Sequence, residues 1–286
     1  MAYSKGRFAS LRGPQLCTHS WLPGGAPRCH VVILHGNAAH GAFPTVRLLA
    51  ERLAQAGCAC FALDFEGHGE SEGVAALIHD TAHLTADTAA FARSLIAAQP
   101  LPLFLAGTSM GGGLALRCSL EAAAGTYAGL LLLSPLISVA EAAKPSAFAI
   151  AALSALCVLA PQAALLGGSS ADAGAQYADP EVRAACLADP LAYKGRMRLG
   201  TARALMALSS LLEGRLEEVA TPFLVFHGTA DTVVPVEGSR RLLAAAAASD
   251  KELRELAGGL HTLLGQPEPQ RNALLEAAAA WVVART

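Results

Sequence analysis

The apolar positions along this chain fall into short continuous runs rather than alternating with polar ones. Val31–Leu34, Leu101–Leu105, Leu130–Leu133 and Pro222–His227 are apolar almost throughout, the pattern of strands covered on both sides. Leu16–Trp21 and Cys58–Leu63 read as further strands, and Glu252–Leu256 as the last. Helical spacing fills the gaps. Across 44–56, Val46, Leu49, Ala50 and Leu53 share one helical face and Gly57 supplies the stop. Residues 80–98, 112–124, 237–247 and 270–283 also read as helices, and Gly125 ends the second of these. Strand and helix taking turns predicts an α/β fold, a mostly parallel sheet with helices on both faces. The rhythm breaks over 136–216, where helical stretches and proline joints leave no convincing strand. The chain therefore divides into a core, 1–135 with 217–286, and a helical insertion, 136–216.

Composition narrows the class of function. The chain has 286 residues, 53% hydrophobic and only 15% charged, which suits one large domain carrying an insertion. A net charge of −2 with scattered basic residues gives no footprint for nucleic acid. The seven cysteines lack metal-ligand spacing, and their odd number points to reduced thiols in the cytoplasm. No metal or cofactor is expected. Met1–Arg12 is polar and basic, without the apolar core of a signal peptide. Ser146–Leu159 is apolar but lies between Pro145 and Pro161. It is shorter than the roughly 20 residues of a membrane span, so a buried or interfacial helix is expected. A membrane anchor is the alternative reading of that run.

The chemistry concentrates in Gly107-Thr-Ser109-Met-Gly111, set between the strand ending at Leu105 and the helix from Gly112. A sharp strand-to-helix turn exposes a serine hydroxyl at the carboxyl edge of a sheet, and small flanking residues let the chain pass. Serine also needs a base and an acid. After such a turn they follow along the chain as acid, then histidine. Asp231 lies just beyond the strand ending at His227, where open parallel sheets place their sites. Its rival Asp250 follows a helix. His261 is the one histidine after Asp231. Ser109, Asp231 and His261 are thus the expected nucleophile, acid and base. The loop His35-Gly-Asn37 follows an early strand. The backbone N–H groups of Asn37 and Met110 are the expected oxyanion donors. His35 reads as a loop-holding residue, and so do Asp64 and His68 of Asp64-x-x-Gly-His-Gly-x-Ser71.

Five segments carry a family likeness: Arg12–Leu16 running on to Trp21–Pro23; Asp64–Gly73; Gly107–Gly112; Asp189–Gly195 with Arg198–Thr201; and Leu216–Val219 running on to His227–Asp231. Together they resemble the monoacylglycerol lipase group of the α/β-hydrolases. Within it they resemble the plant and algal branch that includes caffeoylshikimate esterase and lysophospholipase-like members. The resemblance implies an α/β-hydrolase fold with 136–216 as a lid. It also implies hydrolysis of an acyl ester, first of all monoacylglycerol, through an acyl-enzyme on Ser109 without a cofactor. Lysophospholipids and hydroxycinnamoyl esters are alternative substrates. Peripheral membrane or lipid-droplet contact through the lid would fit a greasy substrate. A ligand receptor on the same scaffold is the reading from another class. The sequence departs from the family in its alanine-rich lid, with Phe148 as the main aromatic and a Gly167–Ser170 stretch, and in Thr108 before the serine.

Overall fold

A computed structural model describes residues 1–138, 157, 159–166 and 174–286. Its sheet is built from β1 (Ala2–Ala9), β2 (Gln15–Leu22), β3 (His30–Leu34), β4 (Ala59–Leu63), β5 (Leu103–Thr108), β6 (Gly129–Leu133), β9 (Phe223–Gly228) and β10 (Lys251–Leu256). The spatial order is β1-β2-β4-β3-β5-β6-β9-β10. Pairing is antiparallel for β1 with β2 and for β2 with β4, and parallel across the rest. Among the described residues the α-helices are α1 (Pro44–Gln55), α2 (Thr81–Ala98), α3 (Met110–Glu121), α4 (Pro180–Ala188), α5 (Leu199–Glu213), α6 (Val236–Ala245) and α7 (Glu268–Val283).

The continuous apolar runs are explained by two cores, one on each face of the sheet. Side chains alternate along a strand. Val32 and Leu34 of β3, Leu105 of β5, Leu130 and Leu132 of β6 and Val225 of β9 therefore enter one core, beneath α2, α3, α5 and α6. Val31, Ile33, Phe104, Ala106, Leu131, Leu133, Leu224 and Phe226 enter the other, beneath α1 and α7. Leu132 is fully buried. Leu132→Ala should lower the unfolding free energy by about 3 kcal/mol, read from the urea midpoint; a loss near zero would mean that this core is not packed as described.

Two strand regions depart from the sequence reading. In sequence the β1 segment is only a polar, basic stretch. Its side chains are exposed except for the half-buried Phe8, so no burial pattern announces it. It exists because its backbone pairs with β2 and because Tyr3 and Ser4 bond across to His19 and Ser20. The insertion, read as free of strands, contains β7 (Ala164–Leu166) and β8 (Met197–Arg198), a short antiparallel pair. Such strands are too brief to show a period. Within the same span, α5 packs on α2 and α3 and buries Ala204, Leu208 and Leu212 in the first core. Most of the run Ser146–Leu159, with Phe148 and the Gly167–Ser170 stretch, lies outside the described residues. Among the described residues no helix is long and apolar enough to cross a membrane.

Candidate active site

Ser109 stands between β5 and α3 with φ 53° and ψ −119°, a backbone region that costs a non-glycine residue on the order of 1–3 kcal/mol. Surrounding hydrogen bonds hold it there. Its N–H donates to Leu133 O at 3.0 Å, and its carbonyl accepts from Leu136 N–H at 2.9 Å. The flanking glycines are demanded by contact. A Cβ on Gly107 would lie 2.3 Å from Gly111 O, and one on Gly111 would lie 2.0 Å from Leu34 O. The turn thus folds tightly on itself and against the end of β3, and α3 begins at the next residue with its positive end toward the serine.

Asp231 and His261 come from the loops after β9 and β10, which are parallel neighbours. The two loops close on each other through Thr229 N–H to Leu256 O and Ala230 N–H to Gly259 O, both 3.0 Å. Gly228 permits that approach, since a Cβ there would lie 2.2 Å from Gly259 O. The outcome is one hydrogen-bonded chain. His261 Nδ1–H donates to Asp231 Oδ2 at 2.7 Å, and the Ser109 hydroxyl donates to His261 Nε2 at 2.9 Å. An ionised carboxylate only accepts, which fixes the proton on Nδ1 and leaves Nε2 as the free base.

Asp231 is held by more than His261. Its Oδ1 accepts from Val233 N–H at 2.8 Å and Val234 N–H at 2.9 Å. On its other side stands His227, which the sequence reading treated only as a strand end. His227 Nε2–H donates to Val234 O at 2.9 Å and leans on Asp231 Oδ2 at 3.3 Å, while its Nδ1 accepts from Ser239 Oγ–H at 2.7 Å. The available signal was a histidine four residues before the acid, with both at the same strand end. Burial pushes the Asp231 carboxyl up, but hydrogen bonds from His227 and His261, the His261 charge and the Val234 amide together hold it well below the usual carboxylate range. A depressed native pKa contributes stability above the unfolded value near 3.8, and that contribution is lost as pH falls through the native one. Wild type should therefore lose stability steeply below pH ~4. Asp231→Asn should show a shallower acid limb, read from urea midpoints across the acid range, whereas parallel limbs would remove Asp231 from the acid response.

The loop after β3 runs alongside the serine: a Cβ on Gly36 would lie 3.6 Å from Ser109 Cβ. Among the described residues, neither Asn37 N–H nor Met110 N–H has a protein acceptor. His35 braces this loop, donating from Nδ1 to Gly36 O at 2.7 Å and accepting Phe65 N–H on Nε2 at 3.1 Å. Burial and the neighbouring His68 push its pKa down to about 3, so it stays neutral and acts as a strut. Asp64 takes Gly41 N–H and Glu70 N–H, and His68 donates to Glu66 O; neither reaches the serine chain. Asp250 pairs with Arg285 instead of a histidine. A cavity of about 380 Å³ opens beside the loop, between Ala38 and Ala39, the Gly67–Gly69 turn and Leu191–Gly195.

Comparison with known proteins places the chain in a family. The family described as serine aminopeptidase, S33, matches residues 25–268. A monoacylglycerol lipase of Mycolicibacterium smegmatis (strain ATCC 700084 / mc(2)155) is 32% identical over 98% of this chain and 97% of its own. A caffeoylshikimate esterase of Arabidopsis thaliana is 31% identical over 94% and 81%. The crystal structure of a soluble monoglyceride lipase variant from Saccharomyces cerevisiae, in complex with a substrate analog, superposes with a TM-score of 0.85. It does so at 20% identity, covering 100% of this chain and 96% of that one. The strand order, the turn at Ser109 and a family match over most of its length together make this chain a member of the serine aminopeptidase S33 family of α/β-hydrolases.

Proposed function

We propose that this protein is a serine carboxylester hydrolase that cleaves monoacylglycerol to fatty acid and glycerol. The observation that carries the proposal is the chain Ser109 Oγ to His261 Nε2 to Asp231, at 2.9 and 2.7 Å. In this reading Ser109 Oγ attacks the ester carbonyl as its proton passes to His261 Nε2. The developing oxyanion takes the N–H groups of Asn37 and Met110, each worth about 3 kcal/mol in the transition state. Asp231 stabilises the imidazolium. His261 then returns the proton to the leaving glyceryl oxygen, and water cleaves the acyl-Ser109 ester by the same steps in reverse. The chain's own side chains suffice for every proton transfer. The substrate class rests on the bacterial lipase relative, whose similarity spans both chains almost completely.

The experiment is turnover of a panel by purified protein. It holds 1- and 2-monooleoylglycerol, lysophosphatidylcholine, caffeoylshikimate, p-nitrophenyl butyrate and an aminoacyl p-nitroanilide. Preferred cleavage of the monooleoylglycerols is expected. Preference for lysophosphatidylcholine or caffeoylshikimate would move the substrate while keeping the ester chemistry. Preference for the anilide would make it a peptidase, and inertness on all would favour a ligand receptor on this scaffold.

The same proposal gives 136–216 the role of a lid that docks on lipid surfaces. Supporting it, Leu159 and Leu165 within that span expose 82% and 55% of their surface. Wild type should float with phosphatidylcholine vesicles and Leu159→Asp should float less; equal flotation of the two would remove this contact.

A further inference from the structure

Far along the chain from the serine, three ligand-type side chains meet in the interior. Cys17 and His19 are two apart on β2, so they share a face. Asp64 follows β4, the antiparallel neighbour of β2, and its N–H donates to Cys17 O at 2.9 Å. One ligand atom from each of the three lies within 4.8 Å of the others. His19 Nε2 is 2.9 Å from Asp64 Oδ1 and 3.8 Å from Cys17 Sγ. Glu70 Oε2 approaches the sulfur from outside at 3.7 Å.

We propose that Cys17, His19 and Asp64 bind zinc(II), with Glu70 completing a tetrahedral site. Thiolate, imidazole and carboxylate are the ligand types zinc takes, at about 2.0–2.3 Å each. Ligand atoms around such an ion stand roughly 3.3–3.8 Å apart; Cys17 Sγ already stands 3.8 Å from His19 Nε2 and 3.7 Å from Glu70 Oε2, and His19 Nε2 and Asp64 Oδ1 would open from 2.9 Å. The surroundings are already those of a metal site. The far nitrogen of the imidazole, His19 Nδ1, lies 2.9 Å from Tyr3 Oη. Gly41 N–H and Glu70 N–H fix Asp64 at 2.6 and 2.8 Å. On binding, the Cys17 thiol proton leaves to solvent. The Nε2 proton of His19 is lost while Nδ1 gains one and donates to Tyr3 Oη, so the ring stays neutral. Lys5, paired with Glu70 at 2.7 Å, is the neighbouring cation. Tyr3 and Lys5, both on the edge strand β1, thus bond to the outer sides of His19 and Glu70.

Zinc here would fasten β2 to the Asp64–Gly73 loop beside the cavity, and through the Gly41 N–H bond to Asp64 it would steady the loop that carries Asn37. The role is structural, and it stands independently of the ester chemistry.

The test uses the full chain, stripped with chelator and loaded with one equivalent of zinc(II). X-ray absorption at the zinc edge should show one sulfur and three nitrogen or oxygen neighbours. Cobalt(II) in place of zinc should give a thiolate charge-transfer band that Cys17→Ser abolishes and Cys58→Ser leaves unchanged. Zinc at a hundredfold excess over its Kd should raise the Tm of wild type by about 5 °C and leave Cys17→Ser unmoved. If wild type retains no zinc, or the bound ion has no sulfur neighbour, the proposal falls and the cluster is a hydrogen-bonded strut. Two sulfur neighbours would overturn it as well, since the proposed site supplies one sulfur, that of Cys17.

Discussion

Ser109→Ala should lower kcat by about 10⁶-fold on any ester that wild type cleaves, leaving only the residue of catalysis that binding and oxyanion donors supply. The size follows from what is removed. Without Oγ there is no acyl-enzyme, and His261 Nε2, now lacking its 2.9 Å partner, can at best recruit a water. The substrate pocket should survive, because alanine keeps Cβ and the backbone bonds of residue 109 to Leu133, Gly113 and Leu136 do not involve the side chain. Wild-type KM or binding affinity with vanished turnover is therefore the expected pair of readings, together with loss of labelling by a fluorophosphonate probe. A variant retaining a hundredth of the activity or more would place the nucleophile elsewhere.

Asp231→Asn should cost about 10⁴-fold in kcat with little change in KM. Asparagine nearly matches aspartate in shape and can still receive Val233 N–H and Val234 N–H on its oxygen. Its amide nitrogen would then occupy the place of Oδ2, 2.7 Å from His261 Nδ1 and 3.3 Å from His227 Nε2. That amide N–H donates to His261 Nδ1 and forces the ring to carry its proton on Nε2, where it can no longer accept from Ser109. The charge that stabilises the imidazolium is lost at the same time. Combining Ser109→Ala with Asp231→Asn should be no worse than Ser109→Ala alone, because the residues act as a unit. A strictly multiplicative loss would mean that Asp231 works independently of the serine.

His35 and His227 show how chemistry and support divide within one residue type. Both are fully buried, yet neither touches the serine. One locks the loop that carries Asn37, and the other backs the carboxylate of Asp231. Such buried rings have both nitrogens committed to neighbours, whereas His261 keeps one nitrogen turned to Ser109. What each ring bonds to, more than its exposure, separates the base from its supports: of these three histidines, His261 bonds the serine hydroxyl.

By itself the sequence determined what depends on local sterics and on burial pattern. The glycines around Ser109 announce a turn through which no side chain can pass, and the structure places them against Leu34 O and Gly111 O. Continuous runs such as Leu130–Leu133 announce strands with both faces covered, because every position in them must enter one core or the other. Chain order after the turn pointed to Asp231 and His261, which β9 and β10 bring side by side. Only the tertiary structure decided the rest. β1 has no buried face of its own, so its existence depends on the neighbouring strand to which its backbone bonds. His227 becomes a support for Asp231 only once the loop after β9 turns back on itself. Cys17 and His19 meet Asp64 across two antiparallel strands, a contact between positions more than forty residues apart that no spacing along the chain encodes. Local periodicity records which side of an element is buried; it carries no record of which distant side chain waits there.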